Sequence, residues 1–221
     1  MTQASAIIAD ARTLLNDSGS VRWSDADLLQ YLNGAARQIA MMLPESAAVE
    51  ATHTLADTNP RQTIPADGFQ FLRVTNNQEA NNRSKPVTYV ERDVLDQLQP
   101  DWYDAVSGTG KPYKHYMFDE REPLAFYLYP RPVASEIVYI MYAKTPTTMT
   151  VVGDSWPLPD VYINAAIDYV VYRALTREGR YSLPAETVDR LWNAFTDSLG
   201  VRRTTMKEVS PKPNNVPPEA D

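Results

Sequence analysis

His53 and His115 are the only histidines in the chain, so any metal site or any proton transfer near neutral pH built on imidazole would have to start from them. They fall on separate alternating segments, Val49 to Leu55 and Tyr113 to Phe118, and neither has a carboxylate cluster at ligand spacing. Two half-buried strand histidines describe them better than a metal centre. Gly108-Thr-Gly-Lys111 has the ending of a phosphate loop, but Ala105 replaces its first glycine and Pro112 replaces the hydroxyl residue that would hold magnesium. Proline there also denies the helix whose N-terminus would bind the phosphate, so the segment reads as a loop. Asp119, Glu120 and Glu122 could pair as acid and base, yet their place between two apolar runs is that of a charged turn. There is no Gly-x-Ser-x-Gly turn. The chain has no cysteine, which excludes thiol nucleophiles, thiolate zinc and disulfides together. The expectation is a protein that is not an enzyme, with no catalytic residue, no cofactor and no metal.

The remaining candidates concern binding. Arg202, Arg203, Lys207 and Lys212 make the C-terminal segment basic within a chain whose net charge is -7. With Val201, Met206 and Val209 as apolar anchors they read as a strap that orders on an acidic partner surface. An alternative is a nucleic-acid-binding module using this basic arm, but the overall charge opposes a general grip on phosphates. The start of the chain lacks the basic flank of a secretory signal and no apolar run reaches the length of a membrane span. A soluble protein made in the cytoplasm, with no membrane partner, is expected.

Helical spacing of Ala4, Ile7, Ile8, Ala11, Leu14 and Leu15 predicts a first helix over about residues 3 to 17. Ser24 and Asp27 form a capping box with Asp in the usual Glu place, with Trp23 and Leu28 placed for a hydrophobic staple. They open a second helix whose buried stripe is Leu28, Leu32, Ala35, Ala36, Ile39 and Leu43, ended by Pro44. The period then changes to two. Strands are predicted around Val49 to Leu55, Phe69 to Val74 and Val87 to Val90, with an exposed loop from Asn76 to Arg83 and a short helix from Glu91 to Gln99.

Leu124 to Pro132 and Ile137 to Pro146 are apolar on both faces and read as two adjacent antiparallel strands. Such a pair needs a partner on each side: the chain's own core and a neighbouring subunit. Helix returns over Val161 to Leu175, where Tyr162, Tyr169 and Tyr172 lie on a different face from Ile163, Ile167, Val170 and Ala174. Ser182 and Pro184 open a last helix carrying Val188, Leu191, Trp192, Phe195 and Leu199 up to Gly200. The fold class expected is α+β: a helical bundle from residues 1–46 and 155–200, a β-rich insertion at 47–154, and an extended C-terminal arm at 201–221.

Trp23-Ser-Asp-Ala-Asp-Leu-Leu-Gln-Tyr-Leu-Asn33, Leu128-Tyr-Pro-Arg-Pro132, Tyr142-Ala-Lys-Thr-Pro146 and Leu158-Pro-Asp-Val-Tyr162 occur in that order. Together they resemble the head-to-tail adaptor proteins of short-tailed bacteriophages, over roughly residues 3 to 199. The resemblance implies a structural virion protein of the neck: a homo-oligomeric ring, usually of twelve copies, that joins the portal protein to the tail nozzle or tail tube protein. It further implies a lumen that passes DNA without sequence-specific binding, and a site where tail fibres can attach. On that reading Val201, Arg202, Arg203, Met206, Lys207, Val209 and Lys212 are candidates for the portal contact. Tyr127, Tyr129, Tyr139, Tyr142, Tyr162, Tyr169 and Tyr172 are candidates for subunit or tail interfaces.

Overall fold

The computed structural model describes residues 2–56, 58–79, 82–104, 112–178 and 185–209. Helices α1 (Ala4–Leu14) and α2 (Asp25–Met42) come first. Strands β1 (Ala48–Thr54), β2 (Arg61–Thr63), β3 (Gly68–Glu79), β4 (Asn82–Pro86) and β5 (Thr88–Tyr89) lead to the short helix α3 (Arg92–Leu98). β6 (His115–Met117), β7 (Ala125–Tyr129) and β8 (Ile137–Lys144) precede the last helices, α4 (Ile163–Glu178) and α5 (Ala185–Val209). The fold is mixed α+β, with five helices and two four-stranded sheets among the described residues. Its contacts divide into two compact units, one of Met1–Ile39 with Thr148–Asp221 and one of Ala40–Thr147.

In the first unit, α1 buries Ala4, Ile7, Ile8 and Ala11. α2 starts where the cap predicts: Ser24 Oγ accepts the N–H of Asp27 at 3.1 Å and donates to the Asp27 carboxylate at 2.7 Å. The short Asp side chain thus returns to the cap hydroxyl, whereas a longer Glu would return to the backbone. Leu28, Leu32, Ala35, Ala36 and Ile39 of α2 are all buried. Arg177 of α4 meets Asp27 at 2.5 Å, and an added Cβ on Gly34 would lie 3.3 Å from the Tyr169 ring, so α2 and α4 run antiparallel and close together. Tyr169 packs on Phe195 and Tyr172 on Trp192, with centroids at 5.3 and 5.4 Å, which sets α5 antiparallel to α4. A helix was expected to stop at Gly200, with an extended arm beyond. Instead α5 continues to Val209. A single Gly costs only about 1 kcal/mol within a helix, and no proline follows until Pro211. Lys212 and the rest of the arm lie outside the described residues.

In the second unit the strands are arranged as β1-β8-β3-β4 and β2-β7-β6-β5. The expectation that β7 and β8 pair with each other is therefore wrong: they lie in different sheets. β7 lies antiparallel between β2 and β6, joined to β6 by the Asp119 to Leu124 turn, and β8 sits between β1 and β3. The connection from β7 to β8 runs beside the one from β1 to β2, held by Ser135 N–H to Leu55 O at 3.0 Å, Leu55 N–H to Glu136 O at 2.9 Å and Arg131 Nε to Thr58 O at 2.5 Å. Both connections cross from one sheet to the other. The inner faces share one core, in which Phe126 and Leu128 of β7 join Val138, Ile140 and Tyr142 of β8 with Phe71, Val74 and Tyr116. Each fully buried side chain of this size contributes about 2 kcal/mol.

The polar run from Asn76 is also no loop. β3 continues through it to Glu79 and pairs with β4. The amide of Asn77 makes this possible: it accepts the Tyr113 N–H at 2.7 Å and donates to the carbonyls of Lys85 and Tyr113, both at 2.9 Å. Asn77 is buried, so replacing it with Ala strands an N–H and two carbonyls. Asn77→Ala is expected to lower unfolding stability by about 3 kcal/mol in urea titration, with native spectra retained at zero denaturant.

Candidate assembly surface

The surface of the helical unit is organised by one buried ion cluster. Arg12 projects from the apolar stripe of α1 and bonds Asp17 at 3.0 Å and Asp25 at 2.7 Å. Asp17 also accepts the backbone N–H groups of Val21, Arg22 and Trp23, at 2.8, 3.1 and 3.2 Å. Asn16 and Ser20 take positive φ values of 52° and 54°, so the turn closes around that carboxylate. Burial opposes the charge on Asp17, but the N–H donors and Arg12 outweigh it and hold its pKa below the ordinary 3.8. Trp23 is thereby seated in the core, while Leu14 and Val21 stay exposed.

A second contact fixes the segment before α4. The side-chain amide of Asn33 donates to Met149 O at 2.9 Å and accepts the Met149 N–H at 2.8 Å. Asp154 caps the following turn by accepting the N–H groups of Thr150 and Val151, at 2.6 and 3.1 Å, which lowers its pKa. The result is a mostly apolar open groove of about 540 Å³ between α2 and residues 148–152. Ala26, Leu29 and Val151 line it, with Asp25 at one end and Arg37 at the other. Arg37 is exposed and makes no ion pair among the described residues. Composition and spacing did not single out this groove. The available signal was polar intrusion into apolar stripes: Arg12 follows Ala11 and stands four residues after Ile8, and Asn33 adjoins Leu32.

The seven candidate tyrosines are scattered. Tyr162 and Tyr169 are buried, and Tyr169 and Tyr172 belong to an aromatic seam with Trp192 and Phe195 of α5. Tyr142 is buried and donates to Asp67 at 3.1 Å. Tyr139 is half-buried beneath the Arg83 guanidinium, 4.8 Å from its ring centre. Arg83 also pairs with Glu50, and together with Thr75 it lowers the pKa of that carboxylate. Tyr127 and Tyr129 lie on the outer face of β7 against Leu95, Trp102 and Met117, so α3 and the residues after it cover that face within the same chain. α3 in turn exposes Val94 and Leu98, one turn apart.

The histidines behave as strand residues. His53 meets Phe126 edge-on at 5.8 Å, and His115 stacks on Tyr129 at 6.1 Å and bonds the Thr88 hydroxyl at 2.7 Å. Burial lowers both pKa values. Glu122 pairs with Arg61 at 3.3 Å, and Asp119 accepts the Arg121 N–H at 2.9 Å to shape its turn. Ala105 and the Gly108 to Lys111 segment lie outside the described residues. Among the described residues no three His, Asp or Glu side chains are grouped to hold a metal, and no helix is long and apolar enough to cross a membrane. Of the proposed portal contacts, residues 201 to 209 lie on the helical backbone of α5.

The family model of the SU10 adaptor protein matches residues 2–217. The chain belongs to the SU10 adaptor protein family. This is a family of phage head-tail adaptors, so the protein is a structural component of a bacteriophage virion, located at the neck and acting through contacts with portal and tail proteins. No curated protein matches the chain.

In this adaptor the Asp17 cluster makes the turn before α2 acid-sensitive. A lowered carboxylate pKa adds stability that is complete above 3.8 and is lost as pH falls through the folded value. Asp17→Asn is expected to melt several degrees below the native protein at pH 7. The gap should shrink as pH drops below 3.8 in parallel thermal scans.

Proposed function

We propose that the protein forms a closed ring of twelve copies that sits beneath the portal, extends the DNA channel and joins the tail nozzle or tail tube to the head. The observation that carries this reading is the adaptor-family match over nearly the whole chain. A closed ring joins unlike surfaces head to tail, so each subunit needs two different sticky faces. The Asp25–Arg37 groove with exposed Val151 and the outer face of α3 with Val94 and Leu98 are chemically distinct faces of this kind. Half-buried Tyr127 and Tyr129 lie in the cluster beneath α3, and half-buried Tyr139 and Tyr172 are further candidates for contacts elsewhere.

On this reading residues 1–46 and 155–200 form the helical bundle that is the body of the ring. Residues 47–154 form the β-rich insertion that meets tail components, tail fibres included. A net charge of -7 per copy favours a lumen that repels DNA and lets it pass without sequence-specific binding. Residues 201–221 form the arm that docks on the portal. Its support is geometric: Tyr169 stands opposite Phe195 and Tyr172 opposite Trp192, so the start of α4 at Ile163 is level with about residue 201 of α5. The last eight residues of α5 overhang by about 12 Å.

Native mass spectrometry and negative-stain imaging of the protein mixed with portal are expected to show a ring of twelve; a persistent monomer on assembled portal would refute it. Deleting residues 201 to 221 is expected to weaken portal binding strongly while shifting the melting temperature little. Equal binding by the shortened chain would remove the arm from the interface.

A further inference from the structure

In the β-rich unit, β4 pairs with β3 only from Asn76 opposite Pro86 onward. Beside Val74 and Thr75 β4 has therefore ended, and an open cavity of about 350 Å³ lies there. Tyr89 and Tyr116, neighbours in register in the other sheet with ring centres 5.6 Å apart, line it as well. Its charged groups are Glu50, Arg73 and Arg83. Glu50 is already satisfied, by Arg83 and by the Thr75 hydroxyl at 2.8 Å. Arg73 is exposed and makes no ion pair or hydrogen bond among the described residues, so one positive charge is left over.

Tyr116 is the second unmet group. Only 8% of it is exposed, yet its hydroxyl makes no hydrogen bond among the described residues. That hydroxyl is not enclosed by protein, so it opens into the cavity. Burial raises the Tyr116 pKa and keeps the phenol a donor, while the Arg73 charge opposes the rise, which sets the guanidinium within electrostatic reach of it. Buried polar groups normally find partners, and here a hydroxyl and a guanidinium share a cavity without an acceptor. A planar carboxylate supplies one: it can take Arg73 through both oxygens and keep a lone pair for the Tyr116 O–H. Its methylene stem would lie against buried Val74 and Val87. A nucleic-acid strand fits less well. Burial raises the Tyr89 pKa and the charges of Glu91 and Glu120 raise it further, so two carboxylates stand near the rim and would repel a run of phosphates.

We propose that this cavity is a socket for one side-chain carboxylate of a partner protein, with Arg73 pairing its charge and Tyr116 donating a hydrogen bond to it. The inference goes beyond the ring reading and does not depend on it.

The test uses the full-length chain with labelled arginine and tyrosine side chains, titrated with N-acetylglutamate amide and followed by NMR. Saturable shifts of the Arg73 and Tyr116 signals are expected, and none with the neutral N-acetylglutamine amide. Arg73→Gln should weaken binding about tenfold and Tyr116→Phe about fivefold. Tyr116→Phe should keep the melting temperature, because its hydroxyl has no internal bond to lose. Equal shifts with the glutamine probe, or undiminished binding by Arg73→Gln, overturn the proposal. Tighter binding of inorganic phosphate than of the glutamate probe overturns the carboxylate assignment. Arg73→Glu should block joining to portal or tail proteins at an unchanged melting temperature; full joining by this variant removes the protein partner. Imaging separates the two readings, since carboxylate binding by a chain that forms no ring refutes the ring alone.

Discussion

The helical unit is built from two stretches of chain, and the amide of Asn33 joins them. Its paired bonds to Met149 link positions 116 residues apart. Closing a loop of that length costs on the order of 4 kcal/mol in chain entropy. Two buried hydrogen bonds return about 2 kcal/mol net, so they direct the closure and cannot drive it alone. Burial of Met149, Trp156, Leu158 and Tyr162 supplies the rest. The N-terminus is stitched to the same segment by Ala4 N–H to Asp154 O and Trp156 N–H to Thr2 O, at 2.9 and 2.8 Å. With residues 148–156 fixed against α1 and α2, α4 has a defined start and the groove has its second wall.

The β-rich unit solves a different problem. Its two most apolar strands have no polar face, and a single sheet would leave one face of each exposed. Placing them in opposite sheets lets their inner faces share a core, while α3 and Trp102 cover the outer face of β7. Apolar demand is thereby passed outward to Val94 and Leu98, two modest exposed residues instead of a whole strand face. This is a surface on which a large assembly can place a contact without the free chain carrying an aggregation-prone sheet.

For an adaptor the relevant chemistry is adhesion and rigidity. The polar side chains that matter hold backbone: Asp17 gathers three N–H groups, Asp154 gathers two, and Asn77 satisfies a strand that its composition alone would not support. Exposed pairs such as Asp27 with Arg177 contribute little by comparison, because solvent screens them.

Local periodicity made the helices legible. The stripe of α2, its Ser24 cap and the apolar run of α4 are properties of neighbouring residues, and the interactions they express act within a turn or two. The same holds for the Asp119 turn and for α3. Strand partners were not legible, since alternation says which residues share a face and nothing about which strand lies alongside. β7 and β8 follow one another in sequence, yet the core is better filled when they face each other across two sheets. The groove was hidden for a related reason: Arg12, Asp17, Asn33 and Met149 acquire meaning only when α1, the turn, α2 and a segment more than a hundred residues away are brought together. Sequence by itself determined the helical elements, the absence of thiol chemistry and the adaptor resemblance. Tertiary structure alone decided which apolar faces the chain covers for itself and which remain open to a neighbour, because that depends on long-range packing and the satisfaction of buried polar groups.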